Sequence, residues 1–96
     1  MVTPARLRKL IEREIKKMLL EEAKKRGIDP RLVVEWLRDE HGIQVGGRPD
    51  WRKVEKVVLS SEDVTSYELA SFLRDQGVEV PEDKWLEILR KYGVRV

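Results

Sequence analysis

The sequence predicts an all-α protein, a compact bundle of about five helices with at most a short two-stranded β element. Three observations lead to this fold class. Apolar residues recur three and four positions apart in long segments, a capping residue precedes most of these segments, and a glycine follows most of them. The chain has 96 residues, which suffice for one hydrophobic core but not for two. We therefore expect a single helical domain over residues 1–96.

The first helix is predicted between Thr3 and Gly27. Thr3 can cap its start, and Pro4 suits the first helical position because a proline lacks the backbone N–H that would be unpaired there. Gly27 follows three basic residues and is typical of a helix end. One face of this helix is apolar and consists of Leu7, Leu10, Ile11, Ile15, Met18 and Leu19.

Two aspartate caps predict the second and third helices. Asp29 precedes a proline at the start of the second helix, which ends at Gly42. Residues 43–49 form a loop or a short strand, and Asp50 then caps a third helix that reaches the serine pair at 60–61. The side chains expected to face inward are Val33, Trp36 and Leu37 in the second helix and Trp51, Val54, Val57 and Val58 in the third.

A capping box marks the start of the fourth helix. Thr65 and Glu68 stand in the Thr-x-x-Glu order in which each side chain bonds a backbone N–H of the other residue. Gly77 ends this helix, Pro81 starts a fifth helix, and Gly93 ends that one. The residues expected to face inward are Leu69, Phe72, Leu73 and Gln76, followed by Trp85, Ile88, Leu89 and Tyr92.

Residues 30–45 and 81–96 resemble each other in length and in their final residues. Each segment begins at a proline and ends in glycine, a β-branched residue, a polar residue and valine. Two interpretations stay open: chance recurrence of a common helix pattern, or a duplicated unit whose short strands at 43–45 and 94–96 pair with each other.

Composition argues against several classes of site. The chain has no Cys and a single His, His41, so we expect no disulfide, no metal site and no cofactor. His41 lies beside a helix-ending glycine, where capping of the exposed carbonyls is the expected role. Ser60 and Ser61 have no base nearby in the sequence, so we predict that the protein is not an enzyme and has no catalytic residues.

The protein is expected to be cytoplasmic and to come from a thermophilic archaeon or one of its mobile elements, with an engineered sequence as the remaining alternative. Asn is absent and only two Gln occur among many Lys, Arg and Glu residues, which is the trend of thermophile proteins. No apolar segment is long enough to cross a membrane or to act as a signal peptide core.

Basic residues gather on one side of the first helix, opposite its apolar face. Residues 1–26 carry nine basic and four acidic side chains, a net charge of +5, whereas residues 27–96 carry 11 and 14, a net charge of −3. Such a ridge can follow the phosphate backbone of DNA or RNA without reading bases. The alternative is a solvated helix with i,i+4 ion pairs, for which Glu12–Lys16 and Glu21–Lys25 are correctly oriented. The predicted contacts in this ridge, which also contains Leu20, are Arg6, Lys9, Arg13, Lys16, Lys17 and Lys24.

Arg48, Arg52 and Lys53 are predicted as auxiliary nucleic-acid contacts. They surround Trp51. This tryptophan continues the apolar stripe of its helix, which predicts a core position and argues against stacking on a base, although of the three tryptophans it is the one we most expect to be partly exposed. Trp36 and Trp85 lie within the apolar stripes of their helices and are predicted core residues.

The second half of the chain resembles the winged helix-turn-helix domains of arginine repressors. The pattern runs from Thr65-Ser66-Tyr67-Glu68-Leu69 through Leu73, Gly77, Val80, Pro81, Leu89, Gly93 and Val94. The resemblance implies a trihelical DNA-binding unit over residues 50–96, preceded over residues 1–45 by the long basic helix and a second helix-turn-helix-like unit. The helix that would read the major groove begins Pro81-Glu82-Asp83 and lacks the family's Ser, Thr and Arg side chains, so we expect no sequence-specific readout from it.

The competing functional class is a protein-interaction module, such as an adaptor, an inhibitor or a subunit of a larger complex. Leu20 inside the basic ridge and a short strand at 94–96 that could extend a partner's sheet support this alternative, as they would support self-association.

Overall fold

The computed structural model describes residues 3–96 and confirms an all-α fold. Within this range no strand is present, so the predicted strands at 43–45 and 94–96, and with them the wing, are not formed. The described residues make one compact body of 39 × 26 × 20 Å. The helices are α1 (Pro4–Lys25), α2 (Pro30–His41), α3 (Trp51–Ser60), α4 (Ser66–Asp75) and α5 (Glu82–Lys91).

The helices begin where local capping chemistry places them. Side-chain oxygens of Thr3, Asp29, Asp50 and Thr65 each accept a hydrogen bond from a backbone N–H of the first turn. The capping box is formed in half: Glu68 N donates to Thr65 Oγ1 at 3.1 Å, but the Glu68 carboxylate accepts from Thr65 Oγ1 at 3.0 Å and not from the backbone N–H of Thr65. α5 begins one residue later than predicted, because Pro81 occupies the N-cap position and makes no capping bond.

Glycines end α1, α4 and α5 in the same way, as the end of α4 illustrates. Gly77 has a φ of +84°, a conformation that costs glycine little. Its N–H donates to Arg74 O, and the N–H of Val78 reaches back to Leu73 O at 2.9 Å. These bonds pair carbonyls that the end of the helix would leave without partners.

α1 is the central helix of the fold. Its backbone lies close to α3, α4 and α5, while α2 packs on α3. Within the described residues, α3, α4 and α5 make close backbone contacts with α1, and α3 also with α2, but none with one another, so they do not pack as the trihelical unit that the resemblance implies. The largest fully buried side chains lie between these helices and are Leu19, Leu37, Leu69, Leu73, Val33, Val54, Val58 and Val64.

Two ion pairs fix α5 against α1 in an antiparallel direction. Lys84 Nζ donates to Glu22 Oε1 at 2.8 Å, and Lys91 Nζ donates to Glu14 Oε1 at 2.7 Å. The hydrogen bond from Lys84 and its charge lower the pKa of Glu22 against the opposing effect of burial, and the same bond raises the pKa of Lys84. One side of α1 is thus covered by α5 along more than two turns.

Among the described residues, no helix combines the length and the apolar character needed to cross a membrane.

Candidate nucleic-acid interface

The exposed surface of α1 is narrower than the basic ridge predicted from the sequence. Because three helices contact α1, it buries residues on several sides and leaves mainly one stripe exposed. Leu20, predicted within the ridge, is 3% exposed and belongs to the core. Leu10, predicted on the apolar face, is 39% exposed. Five of the predicted contacts remain exposed on α1, namely Arg6, Lys9, Arg13, Lys17 and Lys24.

Lys16, the sixth predicted contact, is buried, so its placement on an exposed ridge is wrong. Its side chain points toward the end of α3, where Nζ donates to Val58 O at 2.7 Å, to Ser61 O at 3.0 Å and to Val64 O at 2.9 Å. Burial lowers the pKa of the ammonium group, and the charge of Glu12 partly opposes this effect. The three carbonyls occupy all three donors of the ammonium group, which leaves none for a phosphate.

Glu12 complements Lys16 at the same corner of the fold. Its Oε2 accepts a hydrogen bond of 2.9 Å from the backbone N–H of Ser66, the first residue of α4. The alternative interpretation of this face pairs the two side chains with each other along the surface of α1. Instead, Lys16 supplies donors to the carbonyls that end α3, and Glu12 supplies an acceptor to the start of α4, as the charges of helix termini favour.

A groove of about 500 Å³ lies between α1 and α3. Arg13 and Lys24 contribute to its wall from α1, and Arg52 and Lys56 contribute from α3. Glu55 is the acidic residue of the lining. The structure therefore brings together two predicted contacts from the first helix with one of the predicted auxiliary contacts.

A second cavity continues this groove past the end of α3. It measures about 540 Å³ and shares Arg13, Leu59 and Ser60 with the first. Arg8 and Lys9 add two more cations to its lining. We call these two adjoining cavities, which have Arg13, Leu59 and Ser60 in common, the α1/α3 furrow. Along α1 the furrow extends from Arg8 to Lys24, about 24 Å at 1.5 Å per residue.

Most cations of the furrow have no carboxylate partner. Lys9 is the exception, since its Nζ lies 2.8 Å from Glu62 Oε1 and its hydrogen bond lowers the pKa of that carboxyl group. Lys16 also lines the furrow, but three backbone carbonyls occupy its ammonium group. No carboxylate oxygen within residues 3–96 lies closer than 4.0 Å to the other five cations. These unpaired cations are Arg8, Arg13, Lys24, Arg52 and Lys56.

The remaining predicted contacts lie outside the furrow lining. Lys17 occupies the exposed stripe of α1 between Arg13 and Lys24, and Arg6 is exposed nearer the start of that helix. Arg48 is exposed in the 43–49 loop, whereas Lys53 Nζ donates to Gly46 O at 3.3 Å and so closes that loop.

Two furrow residues, Arg8 and Lys56, were missed by the sequence reasoning. A signal for Lys56 was present, because it follows Arg52 by four residues and therefore shares its helix face. Arg8 offered no comparable signal, because the ridge predicted from helical spacing did not include it.

The three tryptophans are all half-buried, but their surroundings differ. Trp36 stacks on Phe72 with ring centres 4.9 Å apart, and Trp85 packs beside Leu89. Trp51, the first residue of α3, lines the α1/α3 furrow. Trp51 is partly exposed, as are the other two tryptophans, and it also packs against the hydrophobic core; it shares the furrow lining with the cations.

His41 contacts α4. Its Nε2 lies 3.3 Å from Glu68 Oε2, and its ring meets the edge of Trp36 at 4.9 Å between centres. The side chain thereby connects the end of α2 to the start of α4, a contact that its position beside Gly42 did not indicate.

An apolar groove of about 330 Å³ separates the start of α1 from α5. Leu7 and Ile11 line it from α1, and Trp85 and Leu89 line it from α5. The apolar groove shares Arg8 and Glu12 with the second cavity of the furrow, so the two surfaces adjoin at the start of α1.

The furrow is thus a basic and concave surface with one aromatic side chain at its edge. Within residues 3–96 no cluster of three or more His, Cys, Asp or Glu residues is arranged to hold a metal ion. Comparison of the chain with protein-family models, with curated proteins and with solved structures gave no match.

Proposed function

We propose that this protein binds nucleic acid through the phosphate backbone, along the α1/α3 furrow, and does not read base sequence. One observation carries the proposal: five cations without a carboxylate partner line two adjoining cavities that together extend about 24 Å along α1. The acidic residues of the lining, Glu12, Glu55 and Glu62, are fewer than its cations, so the furrow keeps an excess of positive charge for an anion.

Phosphate chemistry fits these side chains. Cations that neutralise successive phosphates release condensed counterions, and this release favours binding regardless of sequence. Arg8, Arg13 and Arg52 add planar guanidinium groups, which can donate two parallel hydrogen bonds to one phosphate.

The helix that a winged helix-turn-helix would use for base recognition is poorly suited to that task. α5 begins with Glu82 and Asp83, both exposed, and Glu87 is exposed one turn later. These carboxylates would meet the phosphates that flank a DNA groove. The proposal therefore assigns binding to the furrow and gives α5 no role in reading bases.

The test is binding to single- and double-stranded DNA and RNA over a range of salt concentrations. We expect the logarithm of the binding constant to fall linearly with that of the salt concentration. The double variant Arg13→Gln, Arg52→Gln should bind all sequences more weakly. Its salt slope should be smaller by about 1.4 for single strands, or about 1.8 for duplex, because each lost phosphate contact contributes about 0.7 or 0.9.

The matched control is the double variant Arg31→Gln, Arg95→Gln. Both arginines are exposed and outside the furrow lining, and the change in net charge is identical. Equal losses of affinity in the two variants would point to net charge alone and would contradict a furrow site. Absence of binding at low salt would overturn the proposal as a whole.

A second candidate function is binding of a protein partner through the apolar groove between α1 and α5. The exposed edges of Leu7, Ile11, Trp85 and Leu89 favour it, because an apolar groove between helices suits an apolar side chain of another protein. Two other sequence features no longer support a protein-interaction module, because Leu20 is buried and residues 94–96 form no strand. Light scattering over a range of protein concentrations tests self-association, and Ile11→Glu should abolish any that occurs.

A further inference from the structure

The helices packed around α1 limit which form of nucleic acid its exposed basic residues can contact. A single α-helix with its side chains is about 10–12 Å wide and fills the DNA major groove, which is about 12 Å wide. α1 is covered by α3 on the side of Lys16 and by α5 on the side of Glu14 and Glu22. It cannot enter that groove, because its neighbours, with axes about 8–10 Å away, would enter with it.

The furrow itself also favours a narrow ligand. Its cations stand on two helices that contact each other, so they face a concave channel rather than a projecting ridge. A duplex would reach the rims of this channel only. A single strand can lie within it, and a length of about 24 Å accepts up to about seven nucleotides at 3.4 Å each.

Trp51 supplies the aromatic surface that single strands require. Trp51 packs partly against the core and lines the same cavity as Lys24, Arg52 and Lys56. Its backbone is held at the first position of α3, where the preceding Asp50 accepts from Lys53 N at 2.9 Å. Trp36 and Trp85 pack against other helices and do not line the furrow.

We infer that the α1/α3 furrow binds single-stranded nucleic acid and that one base stacks on Trp51. Arg13, Lys24, Arg52 and Lys56 hold phosphates on both sides of the stacked base. Stacking on an aromatic ring tolerates any base, which agrees with binding that does not depend on sequence. This inference rests on the proposed function and adds the class of ligand to it.

The experiment is a fluorescence titration with an oligothymidylate, an oligouridylate and a duplex DNA, each of about ten nucleotides or base pairs and hence longer than the furrow. Stacking of a base on Trp51 should quench part of the tryptophan emission. We expect both single strands to quench it and to bind at least about tenfold more tightly than the duplex.

Variants at two tryptophans locate the effect. Trp51→Leu keeps apolar bulk and removes the ring, and it should lower affinity for single strands about tenfold and abolish the quenching. Trp51→Phe should retain most of the affinity. Trp85→Phe is the matched control and should leave both affinity and quenching as in the original chain. The salt slope of Trp51→Leu should be unchanged, since stacking involves no counterion release.

The outcomes separate this inference from the proposed function. Salt-dependent binding in which duplex and single strands bind equally, with no quenching, overturns the inference and leaves furrow binding in place. Unchanged affinity of folded Trp51→Leu also overturns it. Absence of binding to every nucleic acid overturns both. If Trp51→Leu does not fold, quenching of the original chain and the affinity of Trp51→Phe decide the outcome.

Discussion

The ammonium group of Lys16 lies 2.7 Å from the carbonyl oxygen of Val58, 42 residues along the chain. This bond joins the middle of α1 to the last turn of α3, and two further carbonyls of the α3–α4 connection share the same ammonium group. A lysine that the sequence placed among phosphate contacts is therefore part of the structural core.

Replacement of Lys16 by methionine should destabilise the fold. Methionine preserves much of the apolar stem but leaves the carbonyls of Val58 and Val64 buried without donors, which costs about 1–3 kcal/mol for each such group. The partly exposed Ser61 carbonyl can bond water. We expect the free energy of unfolding, measured with urea, to fall by about 3 kcal/mol.

Lys17→Met is the matched control for this substitution. Lys17 is exposed and makes no ion pair within residues 3–96, so its replacement should change stability by less than about 0.5 kcal/mol. Equal stability of the two variants would show that the three carbonyl contacts contribute nothing.

Stability should decline in acid partly through Glu22. Its pKa is lowered, chiefly by the hydrogen bond from Lys84, so the folded state binds the proton less readily than the unfolded chain. The contribution of Glu22 is therefore complete above its ordinary pKa of 4.5 and is lost as the pH falls through the lowered value. Glu22→Gln should be less stable by about 1 kcal/mol at neutral pH, and this difference should disappear in strong acid.

Urea unfolding at a series of pH values measures this effect. Glu21→Gln is the matched control, because Glu21 is exposed and adjacent in sequence. A constant difference between Glu22→Gln and the original chain at every pH would rule out the assigned role of the ionised carboxylate.

The capping box should contribute measurably to the start of α4. Thr65→Ala removes the acceptor for Glu68 N, and loss of such a cap costs about 1 kcal/mol. Ser71→Ala, on the exposed surface of the same helix, should be neutral or slightly stabilising because alanine has the higher helix propensity. Thermal unfolding of both variants checks the prediction, which fails if Thr65→Ala melts no lower than Ser71→Ala.

Two glycines should respond oppositely to alanine. Gly77 has a φ of +84°, so Gly77→Ala should lower stability by about 1 kcal/mol, although no atom lies within 4 Å of the added methyl group. Gly46 has no positive φ and equally open surroundings. Gly46→Ala should therefore be neutral or stabilise by up to about 1 kcal/mol, by restricting the unfolded chain. The urea midpoints of the two variants measure these changes in stability. Equal changes in the two variants would contradict the explanation from backbone conformation.

Local chemistry made the helices predictable from the sequence. Thr3, Asp29 and Thr65 cap helices through backbone groups two or three residues away, and Gly77 ends a helix through bonds within six residues. Such interactions depend on sequence neighbours alone, so the pattern of residues is sufficient to place them.

The environment of α1 was not predictable in the same way. Helical spacing shows which face of a helix a residue occupies. It does not show how many other helices cover that face. Lys16 is buried because residues 42 to 48 positions away surround it. The sequence did contain one signal of this burial. Leu20, one turn after Lys16, is an apolar residue within the basic ridge, and an apolar residue there indicates that the ridge is not fully exposed. The furrow likewise needed the fold, since Arg13 and Arg52 were each named from sequence but meet only when α1 packs on α3.

Glu12 and Lys16 make the corner between α3 and α4 unfold as one unit. When α1 undocks, α3 loses donors to the carbonyls at its end at the same moment as α4 loses the acceptor for its first amide. Fraying of either helix end while α1 remains in place breaks one of these bonds, so we expect the two ends to be protected together. The hydrogen-exchange rate of the Ser66 amide therefore reports how often α1 leaves the bundle, although Ser66 belongs to a different helix.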